Sequence, residues 1–313
     1  MEEKFLHIAQ IGTGRVGRPT AYTILCSNLA DKLTVCDIKP GLANAFAEEL
    51  RHVTASLGMD VEIIACEKTE DVKESEIILI SAGKPRTPGA KMTRSDLVNE
   101  NGAIVKQIAE STAPNNLDAK YVVITNPVDA MAMICKKYSK AKYVISTGTN
   151  LETLRFKTAL SKALDVPPSK IYGWIGGEHG PNATILWSTV KVDELPIKEY
   201  LVSTGKSLNK KEIEDYVKSV SKMILDNIGA TEHGPAASFR DIIRAIVKDT
   251  RELLPIAAPT KIEGITQPVF VSIPLRLGKS IGKSIFQTLS VQEKNAIIKA
   301  AASIFQTYKK TIV

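Results

Sequence analysis

The chain has 313 residues, 44% apolar and 24% charged, with 41 basic against 34 acidic side chains and a formal net charge of +7. Such a length carries a substantial core in one large or two ordinary domains, and excludes a disordered chain. The basic residues are dispersed, with pairs such as Lys136-Lys137 and Lys309-Lys310 rather than a stripe, so no nucleic-acid partner is expected; no apolar run approaches the ~18 residues of a membrane span.

From Phe5 to Ala141 strands alternate with helices. Apolar runs predict strands at Phe5 to Ile11, Leu33 to Val35, Val61 to Ala65, Ile77 to Ile80 and Tyr121 to Thr125. Helical spacing predicts helices at Val16 to Asn28, Leu42 to Leu57 and Asp96 to Glu110. Strands that are apolar throughout, rather than at every other residue, belong in a parallel sheet covered on both faces. Beyond about Thr147 the pattern changes. Helices are expected at Leu151 to Leu164, Lys210 to Ile228, Ala236 to Leu254 and Gln292 to Tyr308, with extended runs at Ala183 to Val190 and Gln267 to Ile273. The expected architecture is α/β: a Rossmann-type doubly wound parallel sheet over residues 1–146, followed by a mixed α+β substrate domain over 147–313, with the site between them. No secretory leader is read at the start, and Cys26, Cys36, Cys66 and Cys135 have no metal-ligand spacing. They read as reduced packing residues of a cytoplasmic protein without a metal.

Gly12-Thr13-Gly14-Arg15-Val16-Gly17 follows the first strand and opens the first helix, and Asp37 lies twenty residues after Gly17 at the end of the second strand. In such a fingerprint the first glycine allows the tight turn and the second admits a pyrophosphate. The third lets helix and strand pack closely, and the helix N-terminus favours the negative charge. Asp37 can accept hydrogen bonds from both ribose hydroxyls and would repel a 2′-phosphate. NAD is therefore the expected cofactor, with NADP disfavoured but left open by Lys39 two residues on.

Four further segments carry chemistry: Pro85 to Gly89 leading to Thr93-Arg94-Ser95-Asp96, then Thr125-Asn126-Pro127-Val128-Asp129, Leu151-Glu152-Thr153-Leu154-Arg155, and Gly177-Glu178-His179-Gly180. On these residues the chain resembles the lactate and malate dehydrogenase family from about Phe5 to its C-terminus, and most of all its lactate-dehydrogenase-like malate dehydrogenases. The resemblance implies that His179 is the proton acceptor, Glu152 the carboxylate that orients its imidazole, and Arg155 the fork on the substrate carboxylate. It also implies that Arg94 polarises the substrate oxygen and that Asn126 touches substrate and cofactor. Gly83, Asn101 and Ile124 are implied as further cofactor contacts, and Thr231 as a wall of the substrate pocket.

Arg86 stands where malate dehydrogenases carry arginine and lactate dehydrogenases typically glutamine. A second cation suits a second carboxylate, so the expected reaction is reversible hydride transfer between (S)-malate and oxaloacetate, with L-lactate or another 2-hydroxy acid as the alternative. The family's habits imply a homo-oligomer, tetramer or dimer. Three departures from the family stand out: Glu152 replaces the usual aspartate, Ala90-Lys91 lengthens the loop between Arg86 and Arg94 by two residues, and Pro181 stands where the family most often has aspartate after the histidine motif. Two readings from other classes compete. An NAD-requiring glycosidase needs metal ligands the chain does not space suitably, and a silent dinucleotide-binding scaffold has no use for Arg94, Arg155 and His179 together. His7 and His52 read as structural residues.

Overall fold

Runs of β-branched and leucine side chains with no polar face build the first sheet. The computed structural model describes residues 5–84, 94–180 and 182–311, and of residues 94–96 the backbone only. Strands β1 (His7–Ile11), β2 (Lys32–Cys36), β3 (Glu62–Cys66), β4 (Ile77–Ile80), β5 (Lys120–Val123) and β6 (Tyr143–Ser146) pair in parallel in the order β3-β2-β1-β4-β5-β6. The crossovers carry helices α1 (Gly17–Cys26), α2 (Leu42–Leu57), α3 (Arg94–Thr112) and α4 (Val128–Ser139). Alternate residues of β4 enter opposite cores, Ile78 and Ile80 one and Ile77 and Leu79 the other, which is why these strands show no polar face. Strand order reverses between β1 and β4. In open α/β sheets that switch point leaves a crevice at the carboxyl ends of the strands, where ligands bind.

The chain continues through α5 (Asn150–Leu164), β7 (Ile171–Tyr172), β8 (Ile175–Gly177), β9 (Ala183–Ile185), β10 (Lys191–Val192), β11 (Leu195–Pro196), α6 (Ile197–Thr204), α7 (Lys210–Ile228) and α8 (His233–Lys248). It ends with β12 (Glu252–Leu254), β13 (Ala257–Thr260), β14 (Val269–Ser272), β15 (Leu275–Leu277), β16 (Ile281–Ser284) and α9 (Val291–Thr311). β13, β14, β8 and β9 extend the sheet beyond β6 by antiparallel pairing, with β13 meeting β6 at Ala257 and Ser146. The expected α/β architecture with a mixed second half is therefore the observed one.

Two expectations need correction. The helix predicted from Ala236 to Leu254 stops at Lys248, because Asp249 takes a left-handed conformation (φ 48°) and its N–H caps Ala245 O. Residues 252–254 are then strand β12, paired with β15. The segment Val128–Ser139, given no helix by the sequence reading, is α4. Every residue from Val128 to Cys135 is buried, so the helix has no polar stripe to betray its period.

Candidate active site

The glycine loop leaves β1 at the switch point. Gly12 has φ 91°, and a Cβ there would lie 2.4 Å from Ala82 N; at Gly17 it would lie 1.9 Å from Gly12 O. Both glycines are demanded by the protein's own packing. Gly14 differs, since a Cβ there would meet nothing within 4 Å. Open space above a loop at a helix N-terminus is the room a pyrophosphate needs. Asp37, just past β2, accepts hydrogen bonds at Oδ2 from Thr13 N (2.8 Å) and Thr13 Oγ1 (3.1 Å), while Gly12 N donates to Cys36 O (2.8 Å). Acid and loop thus form one unit, with Asp37 Oδ1 holding a single bond from Lys39 N (3.0 Å) and retaining acceptor capacity for a ribose hydroxyl. These residues fit a bound dinucleotide.

Other predicted cofactor residues occupy the same mouth in different ways. Val16 and Ile124 line the cavity described below. Arg15 reaches across to Gly229 O at the end of α7 (2.8 Å). Asn101, almost fully buried on α3, donates to Asn126 O (2.8 Å) and accepts from Lys84 N (2.7 Å), so its side chain braces the loops after β4 and β5. Gly83 packs against this amide, 3.0 Å from Asn101 Oδ1 to a Cβ built there.

Beside the glycine loop lies a cavity of about 250 Å³ whose walls include Asn126, Glu152, Arg155, His179 and Thr231. Four segments distant in sequence bring these residues together. The turn before α8 brings Thr231, the end of β5 brings Asn126, and α5 brings Glu152 and Arg155 on adjoining positions of one face. Threonines fix α5 against β8: Thr149 Oγ1 donates to Ile175 O (2.6 Å) and Thr153 Oγ1 accepts from Ile175 N (2.9 Å). His179 sits two residues beyond β8, so this lacing sets the distance between the histidine and Glu152.

His179 Nδ1 lies 3.0 Å from Glu152 Oε1 and 3.2 Å from Oε2. The extra methylene of glutamate does not break the contact; it carries the same carboxylate to 3.9 Å from Arg155 Nη1. With Nδ1 committed, Nε2 is the nitrogen left for chemistry. Burial alone would lower the His179 pKa, but the charge and hydrogen bond of Glu152, helped by the charge of Asp129, raise it to about 9. Burial raises the Glu152 carboxyl, yet His179 and Arg155 outweigh it and hold it below its ordinary value. The arrangement stabilises an imidazolium beside an arginine fork, suited to moving a proton to or from a carboxylate-bearing substrate.

Arg86 lies outside the described residues, and of Arg94 only the backbone is described, as the first residue of α3. The sequence reading also missed a participant. Asp129 is buried behind His179 and accepts its backbone N–H at 3.0 Å. Its place in Asn126-Pro127-Val128-Asp129 was the one available signal. His7 is a satisfied core residue, bonded to Glu74 O and Thr34 Oγ1, whereas His52 is exposed on α2. Among the described residues no group of three or more His, Cys, Asp or Glu side chains could hold a metal ion, and no helix is long and apolar enough to cross a membrane.

Comparison with known proteins agrees with this geometry. Residues 6–144 match the lactate/malate dehydrogenase NAD binding domain, and residues 149–312 the family's alpha/beta C-terminal domain. Malate dehydrogenase of Sulfolobus acidocaldarius is 34% identical over 305 residues, covering 97% of this chain and 96% of that one, and malate dehydrogenase of Sulfurisphaera tokodaii is 35% identical over the same span. L-lactate dehydrogenase of Thermoanaerobacter sp. (strain X514) is 33% identical over 306 residues, 96% of this chain and 97% of its own. The crystal structure of the minor L-lactate dehydrogenase from Enterococcus mundtii superposes with a TM-score of 0.91 over 99% of both chains at 27% identity. The chain is an NAD-binding oxidoreductase and belongs to the lactate/malate dehydrogenase family.

Proposed function

We propose that this dehydrogenase interconverts (S)-malate and oxaloacetate with NAD. The observation that carries the dehydrogenase chemistry is the His179–Glu152 pair beside Arg155 at the mouth of the glycine loop. Two features support the dicarboxylate: Arg86 in the sequence, and malate dehydrogenases among the relatives. The residues divide the work. Arg155 grips one substrate carboxylate and Arg86 the other, while Asn126 and Thr231 bound the pocket. His179 Nε2 takes the hydroxyl proton, Glu152 stabilises the resulting imidazolium, and Arg94 stabilises negative charge on the oxygen. NAD, when bound, supplies the hydride acceptor. Residues 1–146 hold the dinucleotide, 147–313 supply most of the substrate site, and the assembly is a homo-oligomer, tetramer or dimer, of the cytoplasm and the tricarboxylic acid cycle.

The test follows NADH absorbance with oxaloacetate, pyruvate and 2-oxoglutarate in parallel, then repeats the series with NADPH. Oxaloacetate is expected to give the highest kcat/KM, and NADH to surpass NADPH because Asp37 repels the 2′-phosphate. The L-lactate dehydrogenases among the relatives make pyruvate the specific rival. A higher kcat/KM with pyruvate transfers the assignment to lactate, and turnover of none of the three ends the 2-hydroxy acid reading.

The raised pKa of His179 gives the pH dependence a definite sign. Reduction of the oxo acid needs the imidazolium, so its kcat/KM holds through neutral pH and falls as pH rises through about 9. Oxidation of the hydroxy acid needs the neutral ring, so its kcat/KM rises over the same interval. Initial rates in both directions from pH 6 to 10 check this; two curves that both turn near 6.5 would show that Glu152 does not act on the ring.

A further inference from the structure

We propose that Asp129 is a positioning residue for this reaction: one buried carboxylate that fixes where the His179 imidazole stands and how tightly it holds its proton. The inference rests on the reading of His179 as the proton acceptor given above. Asp129 is 2% exposed, in the first turn of α4, and among the described residues no lysine or arginine side chain pairs with its carboxylate. Oδ1 accepts from Ser146 Oγ (2.7 Å), and Oδ2 from the backbone N–H of His179 (3.0 Å). Ser146 Oγ in turn accepts from Gly148 N (3.1 Å). The two oxygens therefore tie together the β6–α5 connection, which leads into Glu152 and Arg155, and the loop that carries His179. Helix α4 is a firm anchor, since Met131, Ile134 and Cys135 are embedded in the sheet's core.

A neutral amide of the same shape could make similar hydrogen bonds at lower desolvation cost, because a buried carboxylate without a cation is expensive. The charge has a use only if it acts on something, and the His179 N–H that Oδ2 accepts puts the carboxylate beside that residue, whose imidazolium its charge favours. The charged neighbours are Glu152 and Arg155 from α5 and Glu178 on the histidine's own loop; Ser146 from β6 is the polar one. Burial pushes the Asp129 pKa up to about 6, against the hydrogen bonds from Ser146 and the His179 N–H, which hold it down. Above that pH its anion, after Glu152, favours the imidazolium. Sequence reading passes over Asp129 because a carboxylate in the first turn of a helix is also ordinary dipole compensation.

The experiment compares wild type with Asp129→Asn and Ser146→Ala. For each, kcat/KM for oxo-acid reduction is measured from pH 6 to 10, and NADH affinity and thermal midpoint are measured alongside. Asp129→Asn is expected to bind NADH as wild type does and to move the alkaline fall in kcat/KM down by roughly one pH unit, as loss of a nearby opposite charge does. Ser146→Ala leaves the carboxylate ionised near pH 9, since its pKa starts at about 6, so its midpoint stays close to wild type and the variant controls for lost hydrogen bonding alone. If Asp129→Asn does not fold, Asp129→Ser, smaller and equally neutral, takes its place in the same measurements.

A folded, neutral variant of Asp129 whose pH midpoint stays at the wild-type value overturns the proposal. An NMR titration of the His179 ring, assigned with His179→Gln, reads the same pKa without turnover. Wild type inactive with every oxo acid therefore fails the functional reading, while the NMR shift still decides the role of Asp129.

Discussion

Glu152→Gln is expected to lower the rate of oxo-acid reduction by roughly 10³- to 10⁴-fold, the scale on which an orienting acid acts in a hydrolase triad. Two effects combine. The first is electrostatic: the Glu152 charge and hydrogen bond are what lift His179 against the downward pull of burial, so removing them lowers its pKa and depletes the imidazolium that reduction needs. The second is tautomeric. A glutamine amide can donate to Nδ1, which places the ring proton on Nε2 and spoils that nitrogen as a base for the hydroxy acid. Because the Glu152 carboxylate contacts His179 and Arg155 and not the glycine loop, NADH affinity measured by fluorescence should stay within a factor of roughly two or three. Glu152→Asp separates reach from charge: the 3.0 Å contact to Nδ1 and the 3.9 Å approach to Arg155 are both made by the longer arm. The aspartate should keep the charge and lose part of the rate. A Glu152→Gln enzyme within tenfold of wild type would remove Glu152 from the mechanism.

Much of this site was legible because each signal had a physical period or spacing behind it. Continuous apolar strands announced a sheet covered on both faces, and Ile77 to Ile80 appears as β4 with the same bounds. The glycine fingerprint and Asp37 could be paired at a distance because strand, turn and helix have fixed lengths. Glu152 and Arg155 could be placed together because three residues make most of a helical turn. Illegible parts lacked such a signal. Helix α4 is buried all round from Val128 to Cys135, so its apolar residues form a block rather than a stripe. The stop of α8 at Lys248 depends on left-handed backbone at Asp249 and Arg251, which no apolar pattern encodes. Asn101, expected as a cofactor contact, also bonds to Lys84 and Asn126 backbone, a bracing of two loops that no local pattern announces. The cross-chain bond from Arg15 to Gly229 likewise joins residues 214 positions apart, beyond any local rule.

Arg86→Gln is the sharpest test of the substrate. In a closed, dry site an arginine paired with the second carboxylate of oxaloacetate contributes strongly, and the same arginine facing the methyl group of pyruvate is a desolvated charge without a partner. Glutamine reverses both terms: it gives up the bidentate fork and removes the unpaired charge. The ratio of kcat/KM for oxaloacetate to that for pyruvate should therefore fall by roughly 10²- to 10⁴-fold, with loss on one substrate and gain on the other. NADH affinity and the alkaline pH midpoint should not move, because Glu152 and Asp129, which set the His179 pKa, keep their contacts. Ala90-Lys91 supplies a defined competitor, a second cation in the same loop. Lysine is a compact point charge without a planar fork, so it would attract the second carboxylate but fix its orientation less well. An unchanged ratio in Arg86→Gln together with a collapsed ratio in Lys91→Ala would assign discrimination to the lysine. If neither variant moves the ratio, the positive charge of this loop does not select the substrate, and the malate assignment loses its chemical basis even if oxaloacetate is turned over.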